Sequence, residues 1–269
     1  LVPTFFRTKL FMDYVSVEEA KAATGLRLVL TGGLPAPWSE AAKGLFHVRK
    51  VDYIPVLQQG GGPNEDILAW TGHRNAPTAM YNDEPARVTA VEMISLAQRL
   101  GSGPSLVPAD MDERVMMFGL LNEIAGENGM AWNARVLMFT AMIENLGEEA
   151  MRDNPMLRDY HYAPEDAAAA PGKVIAILQR LSQQLERQAG LGSQYLIGDT
   201  LSALDIYWAC FSQMLDALPP EVNPMPDYMR KVWGLTSRTI QQAGYELDPA
   251  LLVHRDFIFP THLQWPLDF

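Results

Sequence analysis

The first stretch that could do chemistry is Leu26–Lys50. An apolar run typical of a β-strand, Leu26–Leu30, turns through Thr31–Ala36 into a helix predicted to begin at Pro37, a residue suited to the first helical turn. The first backbone N–H groups of a helix lack internal partners, and the helix dipole is positive at this end. The turn is therefore a potential seat for an anion or a nucleophile. Ser39, one turn into the helix, carries the nearest hydroxyl.

Other residues with catalytic or metal-binding potential form no pattern. The five histidines are scattered, and none stands in an HExxH or CxxC context, so no metal site is predicted. The single cysteine, Cys210, excludes a disulfide or a redox pair within this sequence. Its neighbours in Tyr207–Phe211 form a dense apolar segment, which predicts an inert core thiol rather than a nucleophile.

Composition and charge narrow the class of partner. The 269 residues are 48% hydrophobic and 20% charged, a balance typical of a globular protein with a sizeable core. The formal net charge of -11 argues against nucleic acid or an anionic membrane surface as a partner. No apolar run approaches the roughly 20 residues that span a bilayer, and the first residues lack the architecture of a signal peptide. The sequence therefore predicts a soluble, cytoplasmic protein.

The pattern of elements divides the chain into an α/β half and an all-helical half. Residues 26–103 alternate in the order βαβαββα, which predicts two parallel crossovers followed by a hairpin. The linker is predicted at Gly101–Pro104, and helices are predicted over residues 108–245. The predicted strands are Leu26–Thr31, Tyr53–Leu57, Ala76–Tyr81 and Glu84–Val88, and the predicted helices are Pro37–Val51, Asn64–Trp70, Thr89–Leu100, Asp112–Glu127, Met130–Asn145, Pro171–Gln188, Ser202–Leu218 and Pro226–Gln242.

Two terminal segments lie outside these halves. Residues 1–25 form a predicted N-terminal extension, in which Ser16 and Glu19 have the spacing of a capping box for a short helix. This extension is expected to pack outside the first domain. Residues 246–269 form a predicted C-terminal tail, which is aromatic and proline-rich over Phe257–Pro266 and is expected to lie over the surface without regular structure.

Three motifs carry a resemblance to a known family. Ala76-Pro77 stands at the start of the third strand, Gly198–Ile206 has the form of a helix-capping motif, and Pro226–Trp233 has the form of the helix that follows it. With the α/β half, the linker and the helical half, these motifs resemble the glutathione S-transferase family over about residues 26–245. The resemblance implies a thioredoxin-like N-terminal domain, an all-α C-terminal domain and a homodimer.

The capping motif also has a rationale in its residues alone. Ser202 and Asp205 are three residues apart, so each side chain can reach the backbone N–H of the other. Leu201 and Ile206 stand at the positions of a hydrophobic staple. This motif is a folding element and indicates nothing about catalysis.

The resemblance implies which residues would hold the co-substrate glutathione. The family places Tyr, Ser or Cys in the turn before the first helix, and the matching position here is Ala36, which carries neither a hydroxyl nor a thiol. Ser39 would either face the bound thiol or hydrogen-bond the first turn of its own helix. Trp38 would line the cleft or pack in the core. Ala76 would offer its backbone to glutathione, since the family has a cis-proline at the position of Pro77.

The resemblance implies a second contact with glutathione, at the start of the last helix of the first half. The family places an acidic residue and a serine there, which hold the γ-glutamyl end of glutathione. The match is Glu92-Met93, in which the acid is kept and the serine is replaced, and another register places the pair near Val88–Thr89. A solvated helix face is the alternative role for Glu92.

Two functions therefore remain open from the sequence. The first is a glutathione S-transferase-like enzyme that transfers the glutathione thiol to an electrophilic apolar substrate. The second is a binding or interaction module that keeps the fold without transferase activity, as the departures at Ala36 and Met93 would allow. A glutathione-dependent oxidoreductase is disfavoured, because the turn contains no cysteine.

Overall fold

The computed structural model describes residues 12–269 of the chain. Its first half contains three strands and four helices, close to the bounds that hydrophobic patterning predicts. The elements are α1 (Val17–Ala22), β1 (Leu26–Thr31), α2 (Pro37–Val48), β2 (Ile54–Gln58), α3 (Glu65–Thr71), β3 (Thr78–Tyr81) and α4 (Ala90–Leu100).

The sheet has the strand order β2-β1-β3, with β2 parallel and β3 antiparallel to β1. The predicted fourth strand, Glu84–Val88, is wrong in extent, because this segment contributes only one antiparallel bridge, between Arg87 and Ala79. Pro85 cannot donate to a strand ladder, and the N-cap of α4 follows at Thr89, so little room is left for pairing.

The two faces of β1 pack against different elements. Leu28 and Leu30 belong to the main core together with Phe46 of α2 and Met93 of α4. Val29, on the opposite face, packs in a smaller cluster with Ala20, Val56 and Ile67. Every side chain of this strand before Thr31 is buried, as expected for a central strand covered by helices on both sides.

The N-terminal extension is part of the first half over its described residues. Val15 forms a parallel bridge with Val56, and its N–H donates to the Pro55 carbonyl at 3.0 Å. The capping box of Ser16 and Glu19 is present. The expectation that the extension packs outside the first domain is therefore wrong for residues 12–25, since it covers the edge of β2. Residues 1–11 of that predicted segment lie outside the described residues.

The second half is helical throughout its regular elements. The helices are α5 (Met111–Ala125), α6 (Met130–Leu146), α7 (Glu148–Met151), α8 (Pro155–Asp159), α9 (Pro164–Gly190), α10 (Ala203–Ser212), α11 (Asp227–Gln242) and α12 (Pro249–His262). Helix α9 begins a full two turns before its predicted start, with Pro171 inside it.

The C-terminal tail is only partly irregular. Residues 249–262 form α12, which includes Pro260, so the expectation of no regular structure is wrong for Phe257–His262. The last residues then return to the core, where Leu267 and Phe269 are buried. The Lys43 ammonium of α2 donates to the Asp268 carbonyl, which ties this end of the chain to the first half.

The predicted cap of α10 is present and is more extensive than its motif indicates. One carboxylate oxygen of Asp205 accepts from the Ser202 N–H at 2.8 Å and from its hydroxyl at 2.7 Å. The other oxygen accepts from the Leu196 N–H at 2.7 Å and contacts His254 Nε2 at 2.9 Å. The Asp205 side chain is fully buried, so four contacts hold three separate chain segments around one carboxylate.

The predicted linker is held to the first half by Arg49, which is buried. The Arg49 guanidinium donates to the carbonyls of Gln98 at 3.1 Å and Gly101 at 2.6 Å, and also to that of Gly103. A Cβ atom at Gly103 would lie 2.1 Å from the Val48 carbonyl oxygen. Glycine is therefore required for close approach, and this stretch is not a flexible tether.

The two halves share one core. Buried residues of both halves, such as Phe46 and Trp208, belong to the same cluster. Helices α2 and α10 approach closely at Gly44, where a Cβ atom would lie 2.8 Å from Ile206 Cγ2 and 3.2 Å from Leu263 Cδ2. None of the helices described in residues 12–269 combines the length and the apolar character that crossing a membrane requires.

The single cysteine lies in the core. Cys210 is 1% exposed in α10, and burial raises the pKa of its thiol. Because the thiolate is the reactive form, we expect the native protein to react with a chromogenic disulfide reagent at pH 8 at least about a hundredfold more slowly than the urea-unfolded chain. Equal rates in the two states would contradict this placement.

Candidate functional site

A cavity of about 770 Å³ lies between the two halves. Its floor comes from the first half and its walls from helices and connections of the second half. The floor includes Thr31, Ala36, Trp38, Gln58 and Ala76, and the walls include Trp132, Arg135, Phe139, Tyr160, Met229 and Trp233. The predicted residues Ala36, Trp38 and Ala76 therefore meet at one site, whereas Ser39, Pro77, Glu92 and Met93 do not line it.

The turn before α2 leaves the start of this helix uncapped. Ala36 occupies the N-cap position, and no side chain caps the helix there. The Ala36 N–H donates to the Leu34 carbonyl at 2.8 Å, and the Glu40 N–H donates back to Ala36 at 2.9 Å. Within residues 12–269, no hydrogen bond engages the N–H groups of Trp38 and Ser39. The positive end of the helix dipole thus lies at the cavity floor.

Ser39 contacts the end of strand β1 and does not line the cavity. It is 1% exposed, and its hydroxyl accepts a hydrogen bond from the Thr31 N–H at 3.2 Å. The hydroxyl thereby satisfies a backbone donor at the end of β1. This position favours a structural role for Ser39, although its partner is the end of β1 and not the first turn of its own helix, which was the alternative left open from the sequence.

Trp38 connects the floor to the second half. Its indole N–H donates to the Ala125 carbonyl at the end of α5 at 3.1 Å. The ring makes edge contacts with Phe211, at a centroid distance of 4.8 Å, and with Tyr160, at 6.5 Å. Both roles proposed for Trp38 are therefore present, because one part of the ring packs in the core while the residue lines the cavity.

Ala76 presents open backbone groups to the cavity. The Ala76–Pro77 peptide bond is cis, and Thr78, the next residue, begins β3. Within the described part of the chain, no hydrogen bond engages the N–H or C=O of Ala76. An extended peptide could pair with these groups as an added strand does.

Glu92 and Met93 both have structural roles in the first half. Glu92 accepts from the N–H groups of Thr89 at 2.9 Å and Val88 at 3.0 Å, which completes a capping box with Thr89. These hydrogen bonds hold the pKa of the Glu92 carboxyl below its usual range. Met93 is buried in the main core. The alternative register falls on the same capping box, so Thr89 is also engaged.

Sequence reasoning missed the polar groups of the cavity wall and rim. Arg135 of α6 lies with its guanidinium carbon 5.9 Å from the centre of the Trp38 ring. Arg74 forms an ion pair with Asp159 of α8 and so joins the two halves beside the cavity. Arg135 is the one cation of the largely apolar helix Met130–Leu146, a signal that could have been read from the sequence.

Tyr160 supplies a hydroxyl to the same wall. Its ring lies 4.6 Å from that of Trp132 and 5.4 Å from that of Phe139, measured between centroids. Burial raises the pKa of the Tyr160 phenol, while the nearby Arg135 guanidinium acts in the opposite direction. The group is therefore a neutral hydroxyl at physiological pH, able to donate a hydrogen bond.

Solved structures resemble this fold over most of the chain. A glutathione S-transferase domain-containing protein from Marinobacter aquaeolei VT8 aligns with a TM-score of 0.54 at 15% identity, over 79% of this chain and 96% of its own. A beta-etherase from Sphingobium sp. strain SYK-6 aligns with a TM-score of 0.54 at 14% identity, over 87% and 100%. A glutathione S-transferase from Methylobacterium radiotolerans JCM 2831, in complex with glutathione sulfonate, aligns with a TM-score of 0.53 at 13% identity, over 86% and 94%.

These likenesses establish the class of fold. The chain has the glutathione S-transferase fold, with a small mixed sheet in the first half and a helical second half, and the predicted fold class is confirmed. No protein-family model matches the chain, and no curated protein does either. At identities of 13% to 15%, the structural similarity shows the fold and does not show the reaction.

Proposed function

We propose that the chain binds glutathione in the cavity between its halves and transfers the glutathione thiol to an apolar electrophile. The observation that carries this proposal is the meeting, at one cavity floor, of an uncapped helix start at Ala36 and the open backbone of Ala76. The backbone of Ala76 suits the extended peptide part of glutathione. The start of α2 suits the sulfur as a thiolate.

The chemistry requires little covalent machinery from the protein. The thiol loses its proton to solvent, and the unbonded N–H group of Trp38, which lines the cavity at the start of α2, stabilises the negative sulfur together with the positive end of the helix dipole. The sulfur then attacks an electrophilic carbon, so that a carbon–sulfur bond forms and the leaving group departs with the electron pair of the broken bond. The apolar wall, which includes Phe139, Met229 and Trp233, would hold the second substrate.

A second candidate function is a binding module without transferase activity. The specific observation in its favour is Ala36, because the residue at the start of α2 provides no hydroxyl for the sulfur. The engagement of Glu92 in a helix cap also removes one expected contact to glutathione. This module would bind glutathione or a related peptide in the same cavity and release it unchanged.

Two measurements on the full chain separate these functions. Calorimetry with glutathione tests binding, and thiol consumption with an aryl halide, a benzylic halide and an α,β-unsaturated ketone tests transfer. Binding with consumption above the uncatalysed rate supports the enzyme. Binding without consumption selects the module, and the absence of both rejects the two functions together.

Adding a hydroxyl at position 36 should strengthen the enzyme. In Ala36→Ser we expect kcat/KM to rise at least about tenfold, because one added donor can stabilise the thiolate, together with a gain of about 0.5–1 kcal/mol from the new helix cap. Ala36→Gly is the control, because glycine is a tolerated N-cap that adds no donor. Steady-state kinetics and urea denaturation measure the two effects, and a rate unchanged by serine would argue against sulfur chemistry at this turn.

Three broader properties belong to the same proposal. A homodimer, a cytoplasmic location and the division of the chain into domains at residues 26–103 and 108–245 are implied by the resemblance and the sequence pattern. Sedimentation of the purified chain tests the first of these. A monomer at micromolar concentration would contradict the expected homodimer.

A further inference from the structure

The wall of the cavity carries a cation without a counter-charge. Arg135 is half-buried, and its Nε atom is buried with no hydrogen-bond partner. Its Nη1 atom lies 3.5 Å from the Met138 sulfur, a weak acceptor. Within residues 12–269, none of the salt bridges includes Arg135.

The other charged groups of the cavity do not compensate this cation. Asp159 is occupied by its ion pair with Arg74. Glu127 is exposed, where water screens its charge. Among the described residues that line the cavity, Arg135 is therefore the cation that lacks an opposite partner.

The surroundings of Arg135 are aromatic and apolar. Its guanidinium faces the Trp38 ring, and the rings of Trp132 and Phe139 flank Tyr160 on the same wall. Flat faces of this kind suit an aromatic ligand. The Tyr160 hydroxyl oxygen accepts a hydrogen bond from the Arg135 side chain, so its own proton can be donated to a ligand beside the cation.

A partly buried cation among apolar groups is costly unless an anion pairs with it. The planar guanidinium presents two parallel N–H groups, which match the two oxygens of a carboxylate. We infer that the cavity takes an aromatic carboxylate and that Arg135 pairs with the carboxylate group of this ligand. The inference rests on the proposed function in one respect: in that function, this ligand is the electrophile to which the glutathione thiol is transferred.

A pair of probes with the same shape tests this inference on the full chain. 2-Naphthoate carries the carboxylate, and 2-naphthamide replaces it by an uncharged amide. Calorimetry at pH 7.5 should show roughly ten- to a hundredfold tighter binding of 2-naphthoate, the range expected for a hydrogen-bonded charge pair. In Arg135→Met the affinity for 2-naphthoate should fall to that for 2-naphthamide, whose own affinity should stay within about twofold of the native value.

The control variant is Arg187→Met, which makes the same replacement at an exposed position of α9 that does not line the cavity. It should retain the full preference for 2-naphthoate. Equal affinities of the native chain for both probes, no binding of either probe, or a preference that survives Arg135→Met would each overturn the inference.

Glutathione binding in the same variants separates this inference from the proposed function. Arg135→Met should bind glutathione as the native chain does, whereas a parallel loss of glutathione affinity would assign Arg135 to glutathione and overturn the inference. A native chain that binds no glutathione yet prefers 2-naphthoate would reject the proposed function and support the carboxylate site.

Discussion

Asp205→Ala is expected to lower the free energy of unfolding by about 4 kcal/mol, the size typical of a buried charged network that loses its centre. The substitution removes the acceptor of the Ser202 and Leu196 N–H groups and the partner of His254. All these groups lie in the interior, so water cannot replace the lost contacts without entering the core. Urea denaturation measures the change as a lower midpoint at unchanged slope.

Two further variants make this test specific. Asp199→Ala removes an exposed carboxylate six residues earlier and should change the free energy of unfolding by no more than about 0.5 kcal/mol. Asp205→Asn keeps the shape and one acceptor, so its loss should lie between those of the two alanine variants. A loss below about 1 kcal/mol in Asp205→Ala would show that the cap is not the centre of this network.

Arg49→Met is expected to lower the free energy of unfolding by about 3 kcal/mol. Methionine fills similar space but donates no hydrogen bond. The partly buried carbonyls of Gln98, Gly101 and Gly103 would then lose their shared donor.

The matched control for this prediction is Arg152→Met, at an exposed position after α7. Its midpoint in urea should remain close to that of the native chain. Unfolding of the two arginine variants at the same urea concentration would contradict the prediction. It would show that the backbone of the linker, and not Arg49, stabilises the conformation of the linker.

Much of the fold is predictable because hydrophobic patterning is local. The apolar run around Leu28 places β1 at the bounds that the structure has. The errors occur where local and tertiary signals disagree. Pro85 stands in a segment with strand composition that forms only one bridge, and Pro260 stands within a helix that its composition does not favour.

The candidate site is less predictable, because the cavity is made by side chains far apart in the sequence. Ala36 and Ala76 could be placed from motif position, since both depend on backbone groups that any residue carries. Ser39 and Glu92 have suitable chemistry, yet both are engaged in local hydrogen bonds within the first half. Arg135 belongs to no sequence motif. Its place in the cavity wall is seen from its contact with Trp38, which lies 97 residues earlier in the sequence.

The close approach of α2 and α10 at Gly44 has a thermodynamic consequence. The Ile206 side chain packs directly on the backbone of Gly44, and one cluster of buried residues spans both halves. Neither half can therefore open without exposing the core of the other. The chain should then unfold in a single cooperative transition. A ligand in the cavity stabilises the whole molecule by mass action, so the melting temperature of the intact chain reports on any compound that binds there.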